Sequence, residues 1–177
     1  MKKQLPPTPT QQEVSLSENE FIVSKTNGEG KITYINRVFM QISGYTEGEL
    51  LDQNHRMIRH PDMPHGLFHH MWNTLKNGEE FIGFLKNLCK DGDHYWVFAH
   101  VTPDYDAQGN FRGYYSVRRK PAKDAITTIT RLYDAMNQVE QNNGGRSAAS
   151  ASTQHMLEYI TDQDLSYDAF ILQLDTH

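Results

Sequence analysis

Between Phe81 and Arg119 the chain carries three strand-forming runs separated by two compact turn signals, and this spacing leaves little choice of topology. Phe81 to Cys89 is the first run, and Lys90-Asp91-Gly92-Asp93 turns it. His94 to Thr102 is the second, followed by a loop from Asp104 to Asn110 with Gln108-Gly109-Asn110 near its end. Phe111 to Arg119 is the third, alternating Tyr114, Ser116 and Arg118 against Tyr115, Val117 and Arg119. Connections this short cannot carry a crossover, so the runs must pair antiparallel as a meander.

Upstream, Glu20 to Lys25 is a short apolar and β-branched run. Asn27-Gly28-Glu29-Gly30 turns the chain because Asn and Gly adopt positive φ cheaply, and Lys31 to Ile35 completes a hairpin. From Asn36 the period changes. Val38, Phe39, Ile42 and Tyr45 share a helical face that Gly44 ends. Thr46 to Leu50 reads as a second short helix, with Thr46 as N-cap and Glu49 at the capping-box position. His55 to Pro64 holds too many histidines and prolines for regular structure, which predicts a helical turn and a loop. His65 to Lys76 is helical through Phe68, Met71, Trp72 and Leu75, and Asn77-Gly78 closes it. The fold class expected is therefore α+β: an antiparallel sheet of about five strands with short helices on one face.

The ends read differently. Residues 1–18 are rich in Pro, Gln, Ser and Thr and predict a disordered arm before a folded domain at 19–121. A helix is expected over 122–141, where Ala125, Ile129, Leu132, Met136 and Val139 form a seam of barely two heptads. Docking on the chain's own sheet and homodimerisation both fit that seam. Residues 142–153 read as a flexible linker, and 154–177 as a short helical tail that must dock on something to be stable.

A formal charge of −5 gives no reason to expect nucleic acid. No run approaches the ~18 apolar residues of a membrane span, the two early lysines have no apolar segment behind them, and Cys89 is alone. A cytoplasmic protein without direct membrane insertion is the expectation. No Gly-rich phosphate loop, nucleophile elbow or paired-carboxylate motif is present, so no enzyme is expected.

Certain strings resemble a known family. Asn36…Phe39…Ser43-Gly44-Tyr45-Thr46…Glu49-Leu50 resembles the entry half of PAS sensory domains. His55-Arg56-Met57-Ile58-Arg59-His60-Pro61-Asp62-Met63-Pro64, Met71-Trp72, Lys86-Asn87 and Gly92-Asp93-His94-Tyr95-Trp96-Val97 resemble the FAD-binding PAS domains of aerotaxis receptors. The resemblance spans roughly residues 20 to 135 and implies a PAS fold, FAD as cofactor, and a redox or energy sensor. It departs at Phe81-Ile82-Gly83, where the family has Trp-Ser-Gly. It departs also in continuing to no membrane anchor, which resembles bipartite systems whose soluble PAS protein works with a membrane-bound methyl-accepting transducer.

The resemblance implies that Asn87 hydrogen-bonds the isoalloxazine edge, where an amide supplies both donor and acceptor. A polar residue on the wet face of a strand is the plainer reading. Trp72 is a pocket wall or ordinary core, and Trp96 core. Arg59, His60 and Asp62 are the expected polar contacts to ribityl, phosphate or adenine, although Asp62 could simply cap the next helix. Asn36, His55, Phe68 and Phe81 complete the expected cofactor-binding set. Seven of the nine histidines lie between 55 and 100, and His69 or His70 could instead ligate haem iron, making a haem oxygen sensor the alternative. A cofactor-free interaction module working through the 122–141 helix is a third reading. Cys89 lies outside the motif that light-sensing PAS domains use.

Overall fold

The computed structural model describes residues 7–176. Its five-stranded antiparallel sheet runs in the order β2-β1-β5-β4-β3, from β1 (Phe21–Thr26), β2 (Ile32–Ile35), β3 (Phe81–Leu88), β4 (His94–Tyr105) and β5 (Phe111–Arg119). The expected hairpin and meander are both present. They join because β1 pairs with β5, Ser24 opposite Ser116.

Three short helices bridge the halves: α1 (Arg37–Ser43), α2 (Glu47–Leu50) and α3 (His65–Lys76), with a 3-10 turn at His55–Ile58. Gly44 ends α1 at φ 74°, a backbone state that favours glycine. Thr46 and Glu49 form the capping box that the sequence predicts for α2. These elements cover one face of the sheet. Pairing of Lys86 with Trp96 and of Phe84 with Phe98 puts those side chains on the opposite face, while Leu85 and Asn87 point inward.

The opposite face is covered by the C-terminal helices α4 (Lys123–Asn143) and α6 (Tyr167–Asp175). Tyr133 of α4 stacks on Trp96, 6.4 Å between centroids, and Ala125, Ile129, Leu132 and Met136 are buried. The heptad-like seam thus packs within its own chain, so a dimer would use another surface. Asp175 pairs with Arg119 on the same face.

Two expectations at the ends are corrected. Residues 142–153 are not a linker: α4 continues to Asn143, Gly144-Gly145 turns the chain at positive φ, and α5 (Ala148–Thr161) begins at once. The Ser/Ala run that read as flexible is instead a small-residue surface that lets α5 approach α3 and α4 closely. The part of the arm described here, residues 7–18, is docked. Val14 N–H donates to His94 at 2.7 Å, His94 N–H donates to Gln12 at 3.0 Å, and Leu16 is buried. Residues 1–6 lie outside the described residues.

β3 is an edge strand, and its outward carbonyls would be a liability if left open. Each is engaged. Tyr167 Oη donates to Ile82 at 3.0 Å, Tyr133 Oη to Phe84 at 2.7 Å, and the His60 N–H to Lys86 at 3.2 Å. The strand that carries Asn87 is therefore tied directly to α6, α4 and the His55–Pro64 segment. Among the described residues no helix is long and apolar enough to cross a membrane.

Candidate functional site

A cavity of about 360 Å³ lies between the inner sheet face, α3 and the His55–Arg59 segment. Helical spacing on α3 brings Phe68, Met71, Trp72 and Leu75 to one side, and alternation on the strands brings Leu85, Val101 and Tyr114 to the other. Trp72 meets Tyr114 edge to face at 5.3 Å. An aromatic and aliphatic slot with a few polar groups is the usual form of a small-molecule site.

Its polar groups are unusual. Arg118 is only 1 % exposed, reaches Ser24 Oγ with Nη2, and lies 4.9 Å over the Phe39 ring. Its Nε and Nη1 have no hydrogen-bond partner among the described residues. Burial lowers its pKa to about 10, so it stays charged at neutral pH. Asn87, 5 % exposed, leaves its Nδ2 donor open as well. His55 sits 5.9 Å from Phe39, and burial, followed by the charges of Arg118 and Arg59, holds it well below the usual imidazole range. Buried donors without acceptors cost about 1–3 kcal/mol each, and here they share a cavity wall. The arrangement suits a flat apolar ligand whose edge carries hydrogen-bond acceptors.

Of the residues expected from the sequence, Asn87, Trp72, Arg59, His55 and Phe68 line the cavity. The other four do not. Asn36 caps α1, its Oδ1 accepting from Phe39 and Val23 and its Nδ2 donating to Phe21. Phe81 packs against Tyr167 and His70. His60 and Asp62 are turned across the edge of β3, where Lys86 Nζ meets Asp62 at 2.6 Å and the His60 ring faces His94 at 5.7 Å. They are turned away because the isolated bridge between Arg59 and Asn87 fixes the segment's register, sending Arg59 inward and His60 outward. Neither His69 nor His70 faces the cavity: His69 meets Thr153 and His70 meets Tyr167. The haem alternative therefore has no ligand from this pair. Cys89 is buried against α1, its thiol 3.2 Å from the Ile42 carbonyl, and is likewise outside.

Arg118, Ser24, Ser116 and Arg56 are cavity residues that sequence reasoning missed. Alternation had already grouped Arg118 with Tyr114 and Ser116, and that grouping was the available signal.

The buried histidines predict a pH dependence. Burial, then the Lys86 charge, lowers His60 from 6.5 to about 4, against the opposing pull of Asp62. The folded chain thus refuses protons that the unfolded chain accepts below about pH 6.5. Stability is full above that pH and falls as pH drops toward about 4. Urea midpoints at about pH 7.5 and about pH 5.5 are expected to show the decline, and His60→Gln to lessen it. An equal or larger decline in the variant would remove His60 as a cause.

Residues 32–118 match the PAS fold family. The chain is 44 % identical over 131 residues to the aerotaxis receptor of Escherichia coli (strain K12), covering 74 % of this chain and 26 % of that protein. It is 33 % identical over 148 residues to the nitrogen fixation regulatory protein of Klebsiella pneumoniae, covering 84 % of this chain and 30 % of that protein. The chain thus spans about a third or less of the length of these curated relatives. Among solved structures, a light-oxygen-voltage domain studied with a flavin analogue superposes with a TM-score of 0.55 at 25 % identity, covering 67 % of this chain and 87 % of that one. The aureochrome1 light-oxygen-voltage domain in its light state superposes at 0.54 and 22 % identity, over 70 % of this chain and 94 % of that one, and speaks for the fold alone. Strand order, the helices on the inner face and the sequence match converge, and the sheet domain of this chain belongs to the PAS family of signalling sensors.

Proposed function

We propose that this chain is a cytoplasmic FAD-binding redox sensor that reports the state of its flavin to a signalling partner, such as a membrane-bound methyl-accepting transducer. The observation that carries the reading is the pair of open donors, Asn87 Nδ2 and Arg118 Nη1, facing an aromatic-walled cavity. The likeness to an aerotaxis receptor, and to a light-oxygen-voltage domain studied with a flavin analogue, supports it. A bound flavin supplies reversible electron acceptance at a ring whose edge alternates between acceptor and donor character.

The protein's part is to hold that edge and to feel the change. Asn87 offers a donor and an acceptor on one rotatable amide, so it satisfies either state of the edge by turning over. Trp72, Tyr114 and Leu85 would exclude water around it, and Arg118 would hold the adjoining acceptors. Asn87 stands on β3, whose outward carbonyls are held by Tyr133 and Tyr167. Reorientation of its amide therefore loads the same strand that α4 and α6 grip. The two states differ in free energy only by what the ligand's two forms contribute differently at these contacts.

An absorption spectrum of the purified protein tests the cofactor. Flavin bands that bleach with dithionite are expected; a Soret band would indicate haem, and neither signal would leave an interaction module. Asn87→Ala is expected to weaken FAD retention about tenfold, the loss of one hydrogen bond to a polar ring edge. Wild-type FAD content with an unchanged redox response in that variant would remove Asn87 from the switch.

A further inference from the structure

The hydroxyl of Tyr95 is buried without being used by the fold. Tyr95 is 0 % exposed, and its Oη has no hydrogen-bond partner among the described residues. The buried hydroxyls of Tyr133 and Tyr167, by contrast, each donate to a β3 carbonyl. Packing alone would be served by phenylalanine, and an unpaired buried hydroxyl costs about 1–3 kcal/mol. The oxygen therefore calls for a role that the protein's own contacts do not supply.

Tyr95 stands on β4 directly opposite Asn87 of β3. Residues so paired share one face of the sheet, with Cβ atoms about 4.5–5.5 Å apart, so both side chains turn inward. Asn87 lines the cavity and Tyr95 does not; the phenol lies behind the amide as seen from a ligand. Burial pushes the Tyr95 hydroxyl well above the usual phenol range, while the Arg118 charge and the Asn87 amide draw it back. Of its polar neighbours, Arg118 has donors only, and the Cys89 thiol is turned to the Ile42 carbonyl. Asn87 is the neighbour that carries a donor on one side, an acceptor on the other, and also reaches the cavity.

We propose that Tyr95 is a positioning residue for the Asn87 amide, the counter-partner that takes whichever end of the amide the ligand leaves free. This rests on the flavin reading above and adds to it a residue outside the cavity that sets the balance between its two states. When the ring edge accepts, Asn87 Nδ2 serves it and Oδ1 turns to the Tyr95 O–H. When the edge donates, Oδ1 serves it and Nδ2 turns to a lone pair of the Tyr95 oxygen. A phenol meets both demands by rotating one hydrogen. The two orientations do not depend on it equally. Orphaned buried N–H groups are rarer in native proteins than under-satisfied carbonyls, which marks them as the costlier fault. The orientation that turns Nδ2 to Tyr95, that of the reduced ring, therefore leans on the phenol more.

The test is a double-mutant cycle on the full chain loaded with FAD, with Tyr95→Phe, Asn87→Ala and the pair. The midpoint potential of each is read by reductive titration against a reference dye. Tyr95→Phe keeps the ring and is expected to keep oxidised FAD and the urea midpoint close to wild type. Its preference for reduced over oxidised flavin should fall about fivefold, a drop of roughly 20 mV for a two-electron couple. In the Asn87→Ala background, where no amide remains to be positioned, Tyr95→Phe should leave the potential unchanged. An unchanged or raised potential in Tyr95→Phe would overturn the proposal while the flavin reading stands. So would the same drop in both backgrounds, since the phenol would then act on the ring without Asn87. If the wild-type chain holds no flavin, the flavin reading fails and the proposal with it.

Discussion

Arg118→Met is expected to change stability and binding in opposite directions: the flavin-free protein becomes more stable, and flavin retention is lost. In the absence of ligand, Arg118 is a buried cation with two nitrogens unsatisfied among the described residues and no carboxylate partner. Its compensations are the Ser24 hydroxyl and the Phe39 ring at 4.9 Å. A charge-assisted hydrogen bond to a hydroxyl returns about 1.5–3 kcal/mol and a cation–π contact about 0.5–2 kcal/mol, whereas the effective desolvation of a guanidinium, with two of its nitrogens left open, is several kcal/mol. Methionine fills comparable length with a flexible apolar chain. A gain of about 1–3 kcal/mol in the urea unfolding free energy of the flavin-free protein follows.

The same substitution leaves the acceptor edge of a bound ring facing a thioether. A charge-assisted hydrogen bond contributes about 1.5–3 kcal/mol, and the desolvated acceptor adds its own cost, so a loss of affinity near a hundredfold or more is expected. Both measurements are needed together. A variant that is less stable without flavin and retains wild-type flavin content would show that Arg118 serves the fold and not the ligand. The opposed signs are what a binding site paid for in stability should give.

How far the sequence reaches is set by periodicity. The hairpin turn at Asn27–Gly30, the helix stop at Gly44, the capping box of α2 and the meander were legible because each rests on local chemistry or on a repeat of 2 or 3.6 residues. The cavity wall from α3 was legible for the same reason. That His60 and Asp62 turn away from the cavity was not legible because the Arg59–Pro64 loop has no period, so nothing in the string tells which way each side chain turns. Arg118 was grouped correctly with Tyr114 and Ser116. Alternation says which residues share a face but not which face is inner, and an arginine is the residue least expected there. The helical course of 148–153 was hidden by composition, since small residues serve a loose linker and a tight helix contact equally well.

That tight contact supports the second large effect, at Gly66, where α3, α4 and α5 meet. A glycine in the first turn of an exposed helix should be a weakness, and Gly66→Ala in isolation would favour the helix by about 1 kcal/mol. Here a Cβ would stand 2.0 Å from Ser152 Oγ, 2.7 Å from the Thr153 nitrogen and 2.9 Å from the Ala149 carbonyl. The last two are backbone atoms of α5, so relief requires the whole helix to retreat. Retreat breaks the two bonds that α5 brings to the junction, Thr153 Oγ1 to the Gly66 carbonyl at 2.8 Å and Ser152 Oγ to Glu140 Oε1 at 2.6 Å, and leaves only Gly66 N–H donating to Glu140 Oε1 at 2.8 Å. Gly66→Ala is therefore expected to destabilise the full chain by about 2–3 kcal/mol and to raise protease sensitivity within α5. In a chain ending at Asn143 the clash partners are gone, and the same substitution should turn neutral or favourable by up to about 1 kcal/mol. An equal destabilisation in both chains would place the cost inside α3 itself.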